Sequence, residues 1–257
     1  MLYPRLIPML LVHNKGLVKT VKFKDKKYVG DPLNAVKIFN EKKADELIVV
    51  DIDATVEGRD PDYKMIENLA AECRMPLCYG GGIKTVEQAA TILGLGVEKV
   101  ALSSSALNCS QLVTKLSQQV GTQSVVVVLD VKKKIFGGKY ECFTHNGKLS
   151  TKICPFEFAK IAEEYGAGEI LINSIDNDGV MKGYDLDLIH KLKSKVTIPV
   201  TAVGGAGSLD DIHRLFSKEQ IIGAAAGSLF VFKGKYRAVL INYPSGKEKK
   251  DLISGSL

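Results

Sequence analysis

The sequence predicts a (β/α)₈ barrel formed by the whole chain, residues 1–257. Three observations lead there. Short apolar runs alternate with amphipathic segments along the full length. Most of the runs are continuously apolar rather than alternating, as strands covered on both faces are. The two halves of the chain also repeat one another. Eight strand–helix units in about 250 residues is the count and length of such a barrel. A doubly wound open sheet is the runner-up, but it does not require eight units of such regularity.

The strands are expected, in order, at "LIPMLLV" (6–12), "ELIVVD" (46–51), "PLCYG" (76–80), "KVALS" (99–103), "SVVVVLD" (124–130), "EILIN" (169–173), "PVTAV" (199–203) and "GAAAG" (223–227). Helices fall between them. "MIENLAAECR" places Ile66, Leu69, Ala70 and Cys73 on one face,. "TVEQAATILGLG" opens on Thr85, a good N-cap, and stops at glycine,. "PFEFAKIAEEYGAG" carries Pro155 at its start and Gly166 at its end,. The stretch 76–107 repeats as 199–230: strand, glycine cluster, capped helix, strand, small-residue turn. "IVVDIDATVEG" echoes "ILINSIDNDGV". The chain therefore reads as two half-barrels, about 1–121 and 122–257. Strands 1 and 5 are then equivalent, yet the first ends on Leu11 and the second on Asp130. In a barrel, strand C-termini face the active site.

Composition narrows the partners. The net charge of +6 comes mostly from lysines, clustered in "KFKDKK" and "GKEKK". These runs have few interleaved aromatics, so nucleic acid is not expected. Phosphorylated small molecules fit the charge better. No apolar run is long enough to cross a membrane. The N-terminal stretch has no basic region or cleavage site and flows into the fold, so a signal peptide is not expected. Five scattered cysteines, with no CxxC pair, fit free thiols in the cytoplasm,. No His, Cys and Asp grouping has metal-ligand spacing, and no metal or other cofactor is expected.

The glycine clusters carry the binding chemistry. "GGGI" (80–83) and "GGAGS" (204–208) each follow a strand and open a helix. Small residues there let backbone N–H groups approach a phosphate. "SSSA" (103–106) and "AGSL" (226–229) add hydroxyls and amides at the next strand ends. The clusters after strands 7 and 8 match the usual barrel phosphate site. Two repeat-related sites imply an elongated ligand with phosphate at each end. The expected contacts are Gly82, Ser103 and Ser104 on one side, and Gly205, Ala206, Gly227 and Ser228 on the other.

With "KTVKF" and "GDP" in the first loop, "DELIVVDIDA", "GGGI", "LDVK", "GAGEILINSIDNDG", "GYD" and "GGAG", the chain resembles the HisF family over almost its whole length. HisF is the cyclase subunit of imidazole glycerol phosphate synthase. The resemblance implies a glutaminase docked on the N-terminal barrel face. It implies ammonia passing through the barrel core to a phosphoribosyl-aminoimidazole carboxamide substrate on the opposite face. It also implies a gate of four charged residues, here Arg5, Glu46, Lys99 and Glu169, and contributions to substrate binding from Lys19, Asp178 and Gly179.

The upper face departs from the family. The family uses two aspartates as general acid and base; Asp130 matches one and Leu11 replaces the other. An alkyl chain transfers no proton, and such a group contributes roughly 10²–10⁴ in rate. Ser103–Ser104 replace an Asn-Thr pair, Asn173 a Thr, Val180 a Thr, Val203 a Ser and Asp53 a Thr. His13 could transfer protons, but strand alternation directs it elsewhere; His145, His190 and His213 read as surface residues. The favoured expectation is a HisF-like paralogue that passes ammonia onward to a sugar amidotransferase making amidino sugars for bacterial surface polysaccharide. The alternatives are the cyclase of histidine biosynthesis and a non-catalytic, effector-binding scaffold for a glutaminase. The tail "NYPSGKEKKDLISGSL" is expected to be a partner-contacting extension or disordered,.

Overall fold

A computed structural model describes residues 3–134, 137–219 and 222–254. Eight parallel strands form the barrel: β1 (Arg5–His13), β2 (Leu47–Asp51), β3 (Leu77–Gly80), β4 (Lys99–Leu102), β5 (Val125–Lys133), β6 (Glu169–Ser174), β7 (Val200–Val203) and β8 (Ile222–Ala226). Each pairs with the next, and β8 pairs with β1 in the register Arg5↔Gly223. The β5–β6 ladder, Glu169↔Val126 to Ser174↔Val131, completes the ring, which excludes the open sheet. The expected strands fall within a few residues of the observed ones.

The outer helices are α1 (Pro32–Glu41), α2 (Tyr63–Glu72), α3 (Val86–Gly94), α4 (Gln111–Val120), α5 (Pro155–Glu164), α6 (Leu186–Lys193), α7 (Leu209–Lys218) and α8 (Gly246–Ser254). Local chemistry sets their ends. Thr85 and Gln88 form a capping box on α3, and Ser208 and Asp211 form one on α7,. Pro155 occupies the first turn of α5, where its missing N–H is no loss,.

Side chains alternate along a strand, so residues two apart share a face. On the inward face β1 carries Arg5, Ile7, Met9 and Leu11; β4 carries Lys99, Ala101 and Ser103; β5 carries Val126, Val128 and Asp130; β6 carries Glu169, Leu171 and Asn173. The middle of this list, with Ile48, Cys78 and Ala225, forms an apolar core separate from the larger one between barrel and helices. Burial pushes the Cys78 thiol well above its ordinary pKa, so it stays neutral there. The barrel is thus filled in three levels: charge at the N-terminal end, apolar groups in the middle, mixed polar groups at the top. Glu169 and Asn173 lie roughly 13 Å apart along β6 at the usual strand rise.

Two hairpins rise above the top face. The first, Gly16–Val21 with Lys24–Gly30, extends β1 (Leu11↔Val18). The second, Tyr140–Thr144 with Leu149–Ser150, extends β5 (Asp130↔Phe143). At the other end the C-terminal segment closes the wall. Tyr243 stacks against Phe39 and Phe230, donates its hydroxyl hydrogen to Leu6 O at 2.8 Å and accepts from Asp45 N at 3.1 Å. Lys249 then pairs with Asp45 at 2.6 Å, seating α8 between α7 and the end of α1. The tail over its described residues is therefore neither a free extension nor disordered: it supplies the eighth helix.

Tyr243→Phe leaves the Asp45 N–H without its acceptor inside the wall. We expect a loss of about 1–2 kcal/mol, read as a lower urea midpoint; an unchanged midpoint would show that the hydroxyl is not the anchor.

Candidate active site

At the N-terminal mouth, four strands bring Arg5, Glu46, Lys99 and Glu169 into one ring. Arg5 Nη1 lies 2.5 Å from Glu46 Oε2, and Arg5 Nη2 lies 2.7 Å from Glu169 Oε1. Lys99 Nζ closes the circle at 2.9 Å from Glu46 and 3.0 Å from Glu169. Thr201 donates its hydroxyl to Glu169. Two cations and two carboxylates cancel, so the ring carries no net charge. Burial opposes the charges of Arg5, Lys99 and Glu169, yet their partners outweigh it. Arg5 and Lys99 are held above their ordinary pKa values and Glu169 below its own,.

At the opposite end a single cavity collects every residue expected on the top face. Leu11, Lys19, Gly82, Ser103, Ser104 and Asp130 line it, as do Asp178, Gly179, Gly205, Ala206, Gly227 and Ser228. The glycine clusters of β3 and β7 lie across the barrel from one another, four strands apart. Gly205 must be glycine: its φ is +113°, and a Cβ would fall 2.1 Å from Gly183 O. Gly227 is constrained differently, since a Cβ there would meet Lys19 Nζ at 2.6 Å. Lys19 donates to Met9 O at 2.5 Å, and burial lowers its pKa to about 8. This places an ammonium group against the β8 glycine, where an anion would raise its pKa again.

The cavity floor is divided. Leu11 and Val50, paired across β1 and β2, make one side apolar. Asp130 occupies the other. It accepts from Asn173 Nδ2 at 2.8 Å, and Ser103 Oγ lies 3.5 Å away. Burial raises its pKa to about 6 against the pull of these donors, with Asp178 adding to the rise. A carboxylate so placed exchanges protons near neutral pH.

The first hairpin is docked on this floor. Thr20 Oγ1 and Phe23 N donate to Asp178 Oδ2 at 2.7 and 3.2 Å, and Lys22 N donates to Asp178 O at 2.9 Å. Asp178 is thus engaged by the protein, and burial raises its pKa. Asp51 accepts from Asp53 N and Ala54 N, which makes it a loop-holding group. Asp53 also turns away from the cavity, to His13 Nδ1 at 2.8 Å and Asn14 N at 3.0 Å, so neither Asp53 nor His13 lines it. His190 lies outside, paired with Glu219, and His213 faces Leu252 O. His145 corrects the expectation of a surface residue: it is half-buried and lines the cavity beside Asn146. The "HNG" stretch marks a hairpin turn,, but it does not show which way the hairpin points. Among the described residues no cluster of His, Cys, Asp or Glu could hold a metal, and no helix is long and apolar enough to cross a membrane.

The family model described as "Histidine biosynthesis protein" matches residues 5–237. The chain is 64% identical over 253 residues to a Vibrio vulnificus protein provisionally named imidazole glycerol phosphate synthase subunit hisF3, covering 98% of this chain and 97% of that one. A Leptospira interrogans protein, provisionally named imidazole glycerol phosphate synthase subunit HisF, is 56% identical, with 98% and 100% covered. The imidazole glycerol phosphate synthase subunit HisF of Saccharolobus solfataricus is 39% identical over 226 residues, with 88% and 89% covered.

The raised pKa of Asp130 sets a pH dependence. Between the ordinary 3.8 and about 6, the folded protein binds a proton that the unfolded chain has lost. Stability from this group therefore falls as pH rises through that window. Asp130→Asn should gain up to about 3 kcal/mol at pH 7–8, less as cavity water solvates the wild-type oxygens, and nothing near pH 4. Denaturant unfolding at both pH values checks this. A destabilised variant at pH 7 would contradict it.

Proposed function

The chain belongs to the histidine biosynthesis protein family, and from that premise we propose that it is the barrel subunit of an imidazole glycerol phosphate synthase-type enzyme. It binds a substrate with phosphate at both ends across the C-terminal face, between the β3–β4 and β7–β8 glycine clusters. It takes ammonia from a glutaminase docked on the N-terminal face. The ring of Arg5, Glu46, Lys99 and Glu169 admits the ammonia, and the uncharged interior conducts it to Asp130. The observation that carries this reading is the alignment of the three levels. A neutral, salt-bridged plug, a layer of uncharged apolar side chains and a carboxylate with a pKa of about 6 succeed one another from the N-terminal to the C-terminal end of the barrel interior.

The names of the relatives favour this chemistry over delivery of ammonia to a sugar amidotransferase. That second reading rests on one residue. Leu11 stands where the family's strand-1 aspartate belongs, and without that group cyclisation has to run on a single strand carboxylate.

Turnover separates the two. With saturating free ammonia and the phosphoribosyl-aminoimidazole carboxamide precursor, wild type should form imidazole glycerol phosphate at a rate roughly 10²-fold below that of a barrel with both aspartates. Leu11→Asp should recover part of the difference. No product from either protein would overturn the cyclase reading and leave onward delivery of ammonia. Lys99→Met addresses the path: with the glutaminase partner present, glutamine-dependent turnover should fall at least ~10-fold while ammonia-dependent turnover holds. Equal loss of both would place Lys99 outside the route.

A further inference from the structure

We propose that His145 is the second proton-transferring residue of this barrel, supplying from the β5 hairpin the acid–base group that β1 lacks. The proposal rests on the cyclase reading above and adds a residue that the resemblance does not supply.

The first ground is elimination. The titratable side chains lining the cavity are Lys19, Lys26, Asp51, Asp130, His145 and Asp178. Asp51 is committed to two backbone N–H groups of its own loop, with Arg59 Nη1 3.5 Å away. Asp178 is committed to the first hairpin through Thr20 and Phe23. Lys26 lies 3.1 Å from His13 Nδ1 and 3.4 Å from Asp53 Oδ1. Lys19 gives its hydrogen bond to Met9 O beside the Gly227 backbone. His145 differs from these. Its Nδ1 meets only the neighbouring Thr144 Oγ1, at 3.0 Å, and its Nε2 has no protein partner among the described residues. Together with Asp130, it is the titratable group of this cavity that holds up no other part of the fold.

The second ground is placement. His145, Asn146 and Gly147 all have left-handed backbone, with φ of +52°, +56° and +70°. Such a run persists only where surrounding contacts dictate it. Here Asn146 Nδ2 donates to Ile52 O at 2.8 Å, tying the hairpin tip to the end of β2. Lys132 Nζ donates to Gly147 O at 2.7 Å, tying it to β5. The hairpin tip that carries the imidazole is therefore pinned between two anchors at the cavity wall, and a catalytic group gains most from a backbone fixed before the substrate arrives.

The third ground is chemistry. Ammonia adds through its lone pair to a substrate carbonyl carbon, and the resulting carbinolamine loses water. The balance is NH₃ + C=O → C=NH + H₂O, so two protons leave nitrogen and two reach oxygen, one as the carbinolamine forms and one as it loses water; at each stage a base takes an N–H proton and an acid gives one to oxygen. Asp130, as carboxylate, takes the N–H proton. His145 Nε2–H gives the proton to oxygen, and exchange with solvent at the cavity mouth restores both groups. An imidazole suits this role because it both donates and accepts near neutral pH. Leu11 and Val50 leave the β1–β2 side of the floor apolar, so the acid has to reach the substrate from above.

The test uses the full chain carrying His145→Asn, chosen because Asn tolerates left-handed backbone. With the precursor and free ammonia, kcat should fall by ~10²-fold while KM changes less than about 3-fold. Added free imidazole should restore part of the loss, which a merely structural role would not permit. An undiminished kcat, or a rise confined to KM, would overturn the proposal. A wild type that forms no product would overturn the cyclase reading alone. His145 would then be judged by nitrogen NMR of its ring on addition of the precursor. A shift in Nε2 larger than in Nδ1 would support contact with the substrate, and unmoved resonances would refute it.

Discussion

Four charges buried at the N-terminal end of the barrel set the terms for everything above them. Removing an ion from water costs several kcal/mol, and well-packed apolar groups often close a core at least as stably as a buried ion pair. The ring of Arg5, Glu46, Lys99 and Glu169 is therefore a poor choice if stability alone were at stake. What it offers is a closure in which the two cations are held differently. Arg5 grips both carboxylates with a planar fork, whereas Lys99 reaches the same two groups on a flexible four-carbon stem,. Withdrawing Lys99 leaves each carboxylate still paired with Arg5. Above the ring the packed interior offers no charge and no ionised thiol to bind a small neutral molecule.

The top face inherits its character from the same alternation. The strand registers that put Glu169 and Lys99 in the ring also put Asn173 and Ser103 beside Asp130. On β1 the same geometry presents Leu11, and with Val50 it makes half of the floor apolar. Asp130 itself is buried, which raises its pKa,. The substitution at position 11 thus does more than delete a group. It leaves the β1 side of the floor apolar, opposite Asp130.

Most of the fold was legible because barrel strands are covered on both faces and read as uninterrupted apolar runs. Thr85 and Pro155 announced the starts of two helices, and glycines their ends. Two kinds of feature were not legible. Helix α8 buries only Leu252 among its described residues, so its sequence carries almost no periodic signal; the segment is fixed by Tyr243 and Lys249, whose partners lie about 200 positions away,. The cavity position of His145 depends on a hairpin whose direction is set by Asn146 reaching Ile52. No local pattern encodes such a contact. Nor does any local pattern show that the backbone N–H of Asn14 and the His13 ring claim the Asp53 carboxylate.

The central claim is that nitrogen travels inside the molecule, from the ring of charges to Asp130. Isotope partitioning tests it most directly. The barrel and its glutaminase are supplied with amide-¹⁵N glutamine in the presence of excess unlabelled ammonium, under conditions where free ammonia reacts more slowly than glutamine. Passage through the lumen predicts product that retains the ¹⁵N label largely undiluted. Product labelled in proportion to the bulk pool would mean that ammonia reaches Asp130 from solvent, and that the ring and the apolar interior above it do not form the route.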